Sequence, residues 1–256
     1  MLKSIITWNG ISSDTLNITI ERFPNIIRGS RKFEQVSVPG RNGDLFFYEN
    51  AWNNYDQQYE IYAGTGVRGN APETFRNIAS WLFPESTSPT IEDYANLTLN
   101  GYHQLTDSYE PDCIRLAAVT NGMDVTNAWN MFGQTTLTFN CRPERFTLDA
   151  FDTIEESGTF TLTNPTDRNA KPLIKLYGSG TATNVTIVIN SKTITLLDFS
   201  DYIYIDFESQ NCFRLLSENR NNKVQVDGDF PVLVPGTNTF SGNVTKWEII
   251  PRWWKL

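Results

Sequence analysis

The stretch VTIVINSKTITLL, residues 185–197, sets two β-branched, alternating runs on either side of Asn190-Ser191. Val185, Ile187 and Ile189 share one face of the first run, and the two polar residues suit a tight turn. This pattern predicts an antiparallel hairpin with one face buried. The same period-2 pattern continues outward. PLIKLYGSG (172–180) alternates and ends in a glycine turn, and YIYIDF (202–207) sets Ile203, Ile205 and Phe207 opposite Tyr202, Tyr204 and Asp206. VQV, PVLV, NTF and KWEII follow at short intervals. Several short strands with regular turn signals indicate a sandwich or jelly roll.

The first half is more mixed. Strand signals cover LNITIERF, RKFEQVSV, DLFFYE, YEIYA, NLTLNGY, CIRLAAV and TTLTFNC. One helix is expected at APETFRNIASWLF: Pro72 suits the first turn, Phe75, Ile78, Ala79 and Leu82 form an i, i+3, i+4, i+7 stripe, and Pro84 stops it. CRPERFTLDAFDTIEESG (141–158) carries a proline and loses alternation, which places a boundary near residue 147. The fold class read from these patterns is mainly β, all-β with one short helix, in an N-terminal domain 1–147 and a C-terminal domain 148–256. A chain of 256 residues accommodates either one large or two smaller domains.

Composition narrows the function. The net charge is −8 and the pI about 4.8, against a phosphate-binding protein that concentrates Lys and Arg. No basic block exceeds RGSRK (28–32). MLKSIITWNG lacks a signal peptide's apolar core, and no run approaches the ~18 apolar residues of a membrane span. The expectation is a soluble protein made in the cytoplasm, with no membrane partner. Cys113, Cys141 and Cys212 are odd in number and far apart, which suits buried structural thiols better than a metal site or a disulfide scaffold. The four N-x-[ST] sequons read as by-products of Thr-rich strands.

The catalytic signals are weak. GTGVRG (64–69) matches a dinucleotide-binding spacing. The strand before it is led by polar DQQYE, however, and Gly69 precedes the helix start, so a strand-to-helix loop is the better reading. His103 is the only histidine, in NGYHQL, and no G-x-S-x-G elbow accompanies it, so it reads as structural or surface. Asp152, Glu155, Glu156 and Asp206 read as ordinary solvated charges, not a glycosidase pair. WNNYDQQY (52–59) suits a sheet face or interface better than a sugar platform. No enzyme, no cofactor and no metal are expected.

Taken together, VPGRNGDL (38–45), LTFNCRPERF (137–146), KPLIKLYGSG, YIYID, DGDFPVLVPGTNTF (227–240) and EIIPRWW occur in an order that resembles the distal tail protein family. This family, often called Dit, belongs to long non-contractile-tailed bacteriophages that infect Gram-positive bacteria. The resemblance implies an N-terminal domain of strands plus one helix that assembles as a homohexameric ring, and a C-terminal galectin-like β-sandwich. It also implies a structural adaptor that joins the tail-tube protein to the tail-tip protein, carries receptor-binding proteins and surrounds the passage for DNA, which slides through unbound. The location implied is the virion's tail tip. About 110 residues after the boundary suffice for the sandwich alone, without a dedicated carbohydrate module. The alternative is a carbohydrate-binding adhesin using an aromatic surface of the galectin-like domain.

Within that resemblance, Gly40 and Gly43 are expected to permit a sharp turn in VPGRNG. Arg41 either reaches a carboxylate or carbonyl across a subunit contact, or stays a solvated loop arginine. DGDFPVLVPGTNTF reads as two strands and their turn, and EIIPRWW as a last strand that Pro251 confines to an edge or strand end. Trp253 and Trp254 are expected as buried anchors, against the other domain or a neighbouring subunit, in preference to a sugar platform. Arg28 and Arg31 are expected at subunit contacts or against neighbouring tail proteins, leaving the inner wall neutral or acidic.

Overall fold

The computed structural model describes residues 4–85, 88–128 and 130–256. The chain divides into two compact units, one of Met1–Thr87, Asn100–Arg145 and Leu256, the other of Ser88–Leu99 and Phe146–Lys255. Strands predominate in both, and among the described residues no helix is long and apolar enough to cross a membrane.

The first unit holds β1 (Ile6–Trp8), β2 (Ile11–Ser12), β3 (Ile18–Ile20), β4 (Arg31–Val36), β5 (Leu45–Trp52), β6 (Tyr55–Gly64), α1 (Ala71–Leu82), β7 (His103–Asp107), β8 (Cys113–Ala118), β9 (Thr126–Ala128) and most of β10 (Phe132–Thr147). Pairing runs β2-β1-β7-β8-β10-β6-β3, with β9 added on β10. Strict alternation builds the sheet: along β6, Tyr55, Tyr59, Ile61 and Ala63 enter the core while Asp56, Gln58 and Tyr62 face out. α1 covers the apolar side. Its Phe75, Ile78 and Leu82 are buried as the stripe predicts, whereas Ala79 is only half-buried. Trp81 carries the packing there and donates its Nε1–H to the Trp8 carbonyl at 3.2 Å. Gly133 makes the close approach feasible, since a Cβ on it would lie 2.4 Å from the Phe75 ring. β4 and β5 stand apart as a two-stranded sheet of their own.

The second unit holds α2 (Ile91–Ala95), β11 (Ile154–Glu156), β12 (Phe160–Asn164), β13 (Leu173–Tyr177), β14 (Thr183–Ile189), β15 (Lys192–Phe199), β16 (Tyr202–Asp206), β17 (Asn211–Phe213), β18 (Val224–Val226), β19 (Gly236–Gly242), β20 (Lys246–Ile250) and β21 (Trp254–Lys255). Two five-stranded sheets form, ordered β11-β20-β13-β16-β17 and β12-β19-β14-β15-β18. Trp247, wholly buried on the first sheet, meets Phe160 and Phe240 of the second edge-on at 5.6 and 5.8 Å. This aromatic group closes the sandwich over Ile174, Leu176, Ile187, Ile205 and Ile249, all fully buried.

The 185–197 hairpin forms as read, with Val185, Ile187 and Ile189 buried. Asn190 and Ser191 have φ of 48° and 66°, the left-handed pair of a type I′ turn. Serine is strained there by about 1–2 kcal/mol, partly offset by its smaller chain entropy relative to glycine. Ser191→Gly should therefore raise unfolding free energy by about 0.5–1 kcal/mol, measured by urea denaturation with an unchanged slope.

Four readings of the sequence need correction. NLTLNGY is not a strand. Thr90 and Asp93 form a capping box that starts α2, and Asp93 then accepts the Thr98 hydroxyl at 2.9 Å, turning the backbone into a short 3₁₀ segment, Leu99–Gly101. PVLV makes only a bridge, Leu233 to Ala170, because the buried Asn238 side chain takes both the N–H and the C=O of Val234 at 2.8 Å. EIIPRWW is two pieces: β20 ends at Ile250, Pro251 offers no N–H, Arg252 adopts φ 57°, and β21 resumes at Trp254. Alternation is not lost at 141, since β10 stays alternately buried through Arg145.

Candidate assembly surface

The β4–β5 hairpin is the feature least explained by the fold itself. Its register pairs Phe33 with Tyr48, Glu34 with Phe47, Gln35 with Phe46 and Val36 with Leu45. One face therefore collects Arg31, Phe33, Phe46 and Tyr48. Phe33 lies edge-on to Phe46 at 5.4 Å and to Tyr48 at 6.1 Å, and the Arg31 guanidinium sits 5.6 and 5.3 Å from the Tyr48 and Trp52 rings. Phe47 occupies the other face. These contacts hold the rings against one another without covering them: Phe33, Phe46, Phe47 and Tyr48 are 46–57 % exposed. A lone two-stranded hairpin is marginal in water, and clustered exposed rings mark a contact surface.

VPGRNG forms the turn of this arm. Gly40 and Gly43 both have φ of +78°, and a Cβ on either would meet nothing within 4 Å. Backbone conformation, not space, requires glycine there. The Arg41 N–H bonds the Val38 carbonyl at 3.1 Å, and the Arg41 side chain is exposed at the tip.

At its root the arm is fixed. Asn53 donates its backbone N–H to the Ser30 carbonyl at 2.8 Å and its side chain to the Ser30 hydroxyl at 3.1 Å. A Cβ on Gly29 would lie 2.6 Å from the Asn53 carbonyl oxygen and 2.8 Å from Pro143, so glycine lets the two backbones approach. The preceding segment exposes Phe23 (83 %) and Ile26 (73 %), extending the apolar strip. Beneath it lies a buried charge cluster. Asp107 accepts from Arg115 and from the Tyr59 hydroxyl, and its other oxygen takes the N–H groups of Tyr109 and Glu110 at 2.9 and 2.8 Å. Glu110 pairs with Arg28 at 2.7 Å and Arg145 at 3.2 Å, while Arg145 donates to the Ile27 carbonyl at 2.6 Å. Burial alone would raise both carboxyls. For Asp107 the Arg115 charge and the Tyr59 hydrogen bond outweigh it, and for Glu110 the Arg28 hydrogen bond and the Arg145 charge do, so both lie below the ordinary range. This cluster holds residues 27 and 28 where the arm departs. Arg28 is thus committed to Glu110, and Arg31 to the arm's own rings.

The outward face of the large sheet is different in kind. Asp56, Gln58, Glu60 and Tyr62 on β6 lie beside Gln134, Thr136, Thr138 and Asn140 on β10. Asn140 donates to Asp56 at 2.8 Å, and Gln134 to Glu21 at 2.7 Å. Neither 55–64 nor 132–141 contains a Lys or Arg.

The remaining candidates resolve individually. Trp253 is buried, and its carbonyl accepts from the Thr147 N–H at 3.0 Å. Trp254 is half-buried, with its Nε1–H on the Asn169 carbonyl at 2.8 Å. The tryptophan that organises the sandwich, Trp247, carried no sequence signal beyond its place in KWEII. Asp206, expected in solvent, is 2 % exposed: Arg252 pairs with it at 2.5 Å, and Ser209 donates to it at 2.6 Å. Asp152 and Glu155 are exposed, and Glu156 is half-buried. His103 is half-buried with its ring 5.3 Å from Trp8, nearly perpendicular. All three cysteines are buried and free, and burial pushes the Cys141 and Cys212 thiols up to about 12. In GTGVRG, the Gly69 N–H is tied to the Asn130 carbonyl at 2.7 Å.

A mainly β chain of two units, one carrying a detached aromatic hairpin and the other a five-on-five sandwich, has the architecture of phage tail-hub proteins. The particular likeness is to the Dit protein (gp 19.1) of phage SPP1, described as a paradigm of the hub adsorption apparatus in phages infecting Gram-positive bacteria. The fold matches with a TM-score of 0.70 over 96 % of this chain and 97 % of that one, at 11 % identity. A chain of the phage P2 baseplate, in its activated conformation with calcium, matches with a TM-score of 0.51 over 97 % of each, at 9 % identity. No sequence-family profile matches, and no curated protein does. The fold is Dit-like, and it is carried by structure at a sequence identity too low to be read by alignment.

Proposed function

We propose that this chain is a non-enzymatic structural adaptor of a phage tail tip, six copies of which close into a ring between tail tube and tip proteins. The observation that carries the reading is the β4–β5 arm. It is fixed at the root, aromatic along its length and uncovered, which suits insertion against the next copy in a cyclic, heterologous interface. Gly40, Arg41 and Gly43 then lie at the tip of that contact, and Trp253 and Trp254 anchor the C-terminal segment. The Dit-like fold supports the assignment, and the virion is the location it implies.

The large sheet's outward face suits the wall of a DNA passage. A cationic wall would gain affinity through counterion release from the duplex, whereas a neutral-to-acidic one leaves DNA mobile. The purified chain should give, by multi-angle light scattering, six times its 29.2 kDa mass, with rings by negative stain and no duplex retention at physiological salt. A protein that stays monomeric at every concentration, or a ring that retains duplex tightly, overturns the corresponding half of the proposal.

A further inference from the structure

The sheet β11-β20-β13-β16-β17 turns Trp247 inward, so its alternate residues form an outward face. Register aligns them in rows. Glu155, Glu248, Lys175, Tyr204 and Phe213 make one, and Lys246, Tyr177 and Tyr202 the next. At the Phe213 end, Tyr94 of α2 packs on the ring at 4.9 Å, and Arg252 reaches from Asp206 to the Tyr94 carbonyl at 2.5 Å. Away from that cover the face is open, with Tyr177, Tyr202 and Tyr204 half-buried.

Each ring there is held by a cation. Lys175 Nζ lies 4.6, 5.1 and 5.2 Å from the centroids of Tyr177, Tyr202 and Tyr204. Lys246 lies 5.6 Å from Tyr177, and Arg214 5.3 Å from Tyr202. Carboxylates answer each cation. Glu248 accepts from the Tyr177 hydroxyl at 2.9 Å and from Lys246 at 2.8 Å, with Lys175 at 3.7 Å; Lys246 also meets Glu155 at 2.8 Å, and Arg214 pairs with Asp201. Burial would raise the Glu248 carboxyl, but the Lys246 and Tyr177 hydrogen bonds keep it low and charged. The result is three cations against three carboxylates around fixed rings, on strands and not on loops.

That balance selects a ligand class. An anionic polymer needs a net positive field, an organic cation a net negative one, and an apolar peptide an unbroken apolar surface. A neutral pyranose instead presents an apolar C–H face together with hydroxyls that need donors and acceptors in similar number. Preorganised rings rimmed by both meet that need. We propose that this outward face, centred on Tyr177, Tyr202 and Glu248, is a binding site for a neutral saccharide, independent of the hub role.

The test titrates the full-length protein by calorimetry with neutral oligosaccharides of glucose, galactose, rhamnose and N-acetylglucosamine. Polyglycerol phosphate, inorganic phosphate and a glycan-free tail-protein peptide set serve as contrasting probes. At least one neutral oligosaccharide should bind with Kd of about 1 mM or tighter. Tyr202→Ala should weaken it about tenfold, and Glu248→Gln and Tyr177→Phe several-fold, through the lost acceptor and lost hydroxyl. Tyr177→Phe removes one oxygen and guards against misfolding, with near-ultraviolet circular dichroism as the check. Failure of every neutral saccharide at about 10 mM overturns the site, as does binding indifferent to all three substitutions. Binding confined to the phosphate polymer or the peptides overturns it too.

Discussion

Asp107→Ala should cost about 3–5 kcal/mol of unfolding free energy, because it strands a guanidinium that has nowhere to go. Arg115 and Asp107 side chains are each 1 % exposed, and Arg115's other carboxylate contact, Glu110, is 3.9 Å away. Removing Asp107 also leaves the Tyr59 hydroxyl and the N–H groups of Tyr109 and Glu110 without their acceptor. Asp107→Asn keeps the shape and loses only the charge, so it should cost less than Ala and serves as the control. The same cluster sets the acid response. Asp107 and Glu110 have folded values below their unfolded ones. The stability they contribute is therefore complete above the ordinary carboxylate range and is lost as pH falls through the folded values. Chemical denaturation from pH 7 downward should show stability falling below about pH 5 in the natural protein, with a shallower slope in Asp107→Asn. A slope identical in both would remove this cluster from the acid response.

The sequence announces whatever depends on local period. The Asn190-Ser191 hairpin, α1 with Pro72 at its start, and the alternation of β6 and β13 follow from side chains that see only their own strand or helix. The elements it conceals depend on partners far along the chain. PVLV has strand composition, yet Asn238 satisfies its backbone from four residues away. NLTLNGY alternates, yet Asp93 folds it into a helix end. Asp206 alternates with apolar residues like any surface acid, and only Arg252, 46 positions later, makes its burial tolerable. For the assembly surface, the two glycines of VPGRNG were legible as a turn because positive φ is a local demand. The exposure of Phe33, Phe46, Phe47 and Tyr48 was not. RKFEQVSV and DLFFYE look like any half-buried strands, and nothing in them says that the hairpin they form leaves the sheet. Exposure of that kind is a property of topology.

Replacing Phe33, Phe46 and Tyr48 together by Ser should convert the assembled protein to monomer. Buried aromatic anchors at an interface centre are each worth ≥ ~2 kcal/mol, so three weaken every contact by several kcal/mol even allowing for non-additivity. In a closed ring each copy gives one arm and receives one, so the loss applies at every junction and assembly fails cooperatively. The folded monomer should barely notice. The three rings are 46–57 % exposed and belong to a two-stranded sheet outside the core, so the change in unfolding free energy should stay within about 1 kcal/mol. Arg41→Ala probes the tip of the same arm and should do much less. An exposed charge at an interface rim is worth about 0.2–1 kcal/mol, a few-fold in assembly midpoint, with the effect fading as salt rises. Light scattering across a dilution series measures both, and thermal denaturation supplies the stability control. If the triple variant assembles like the natural protein, the arm is not the junction. If Arg41→Ala proves as damaging as the triple variant, the contact is centred on the turn and the rings serve another purpose.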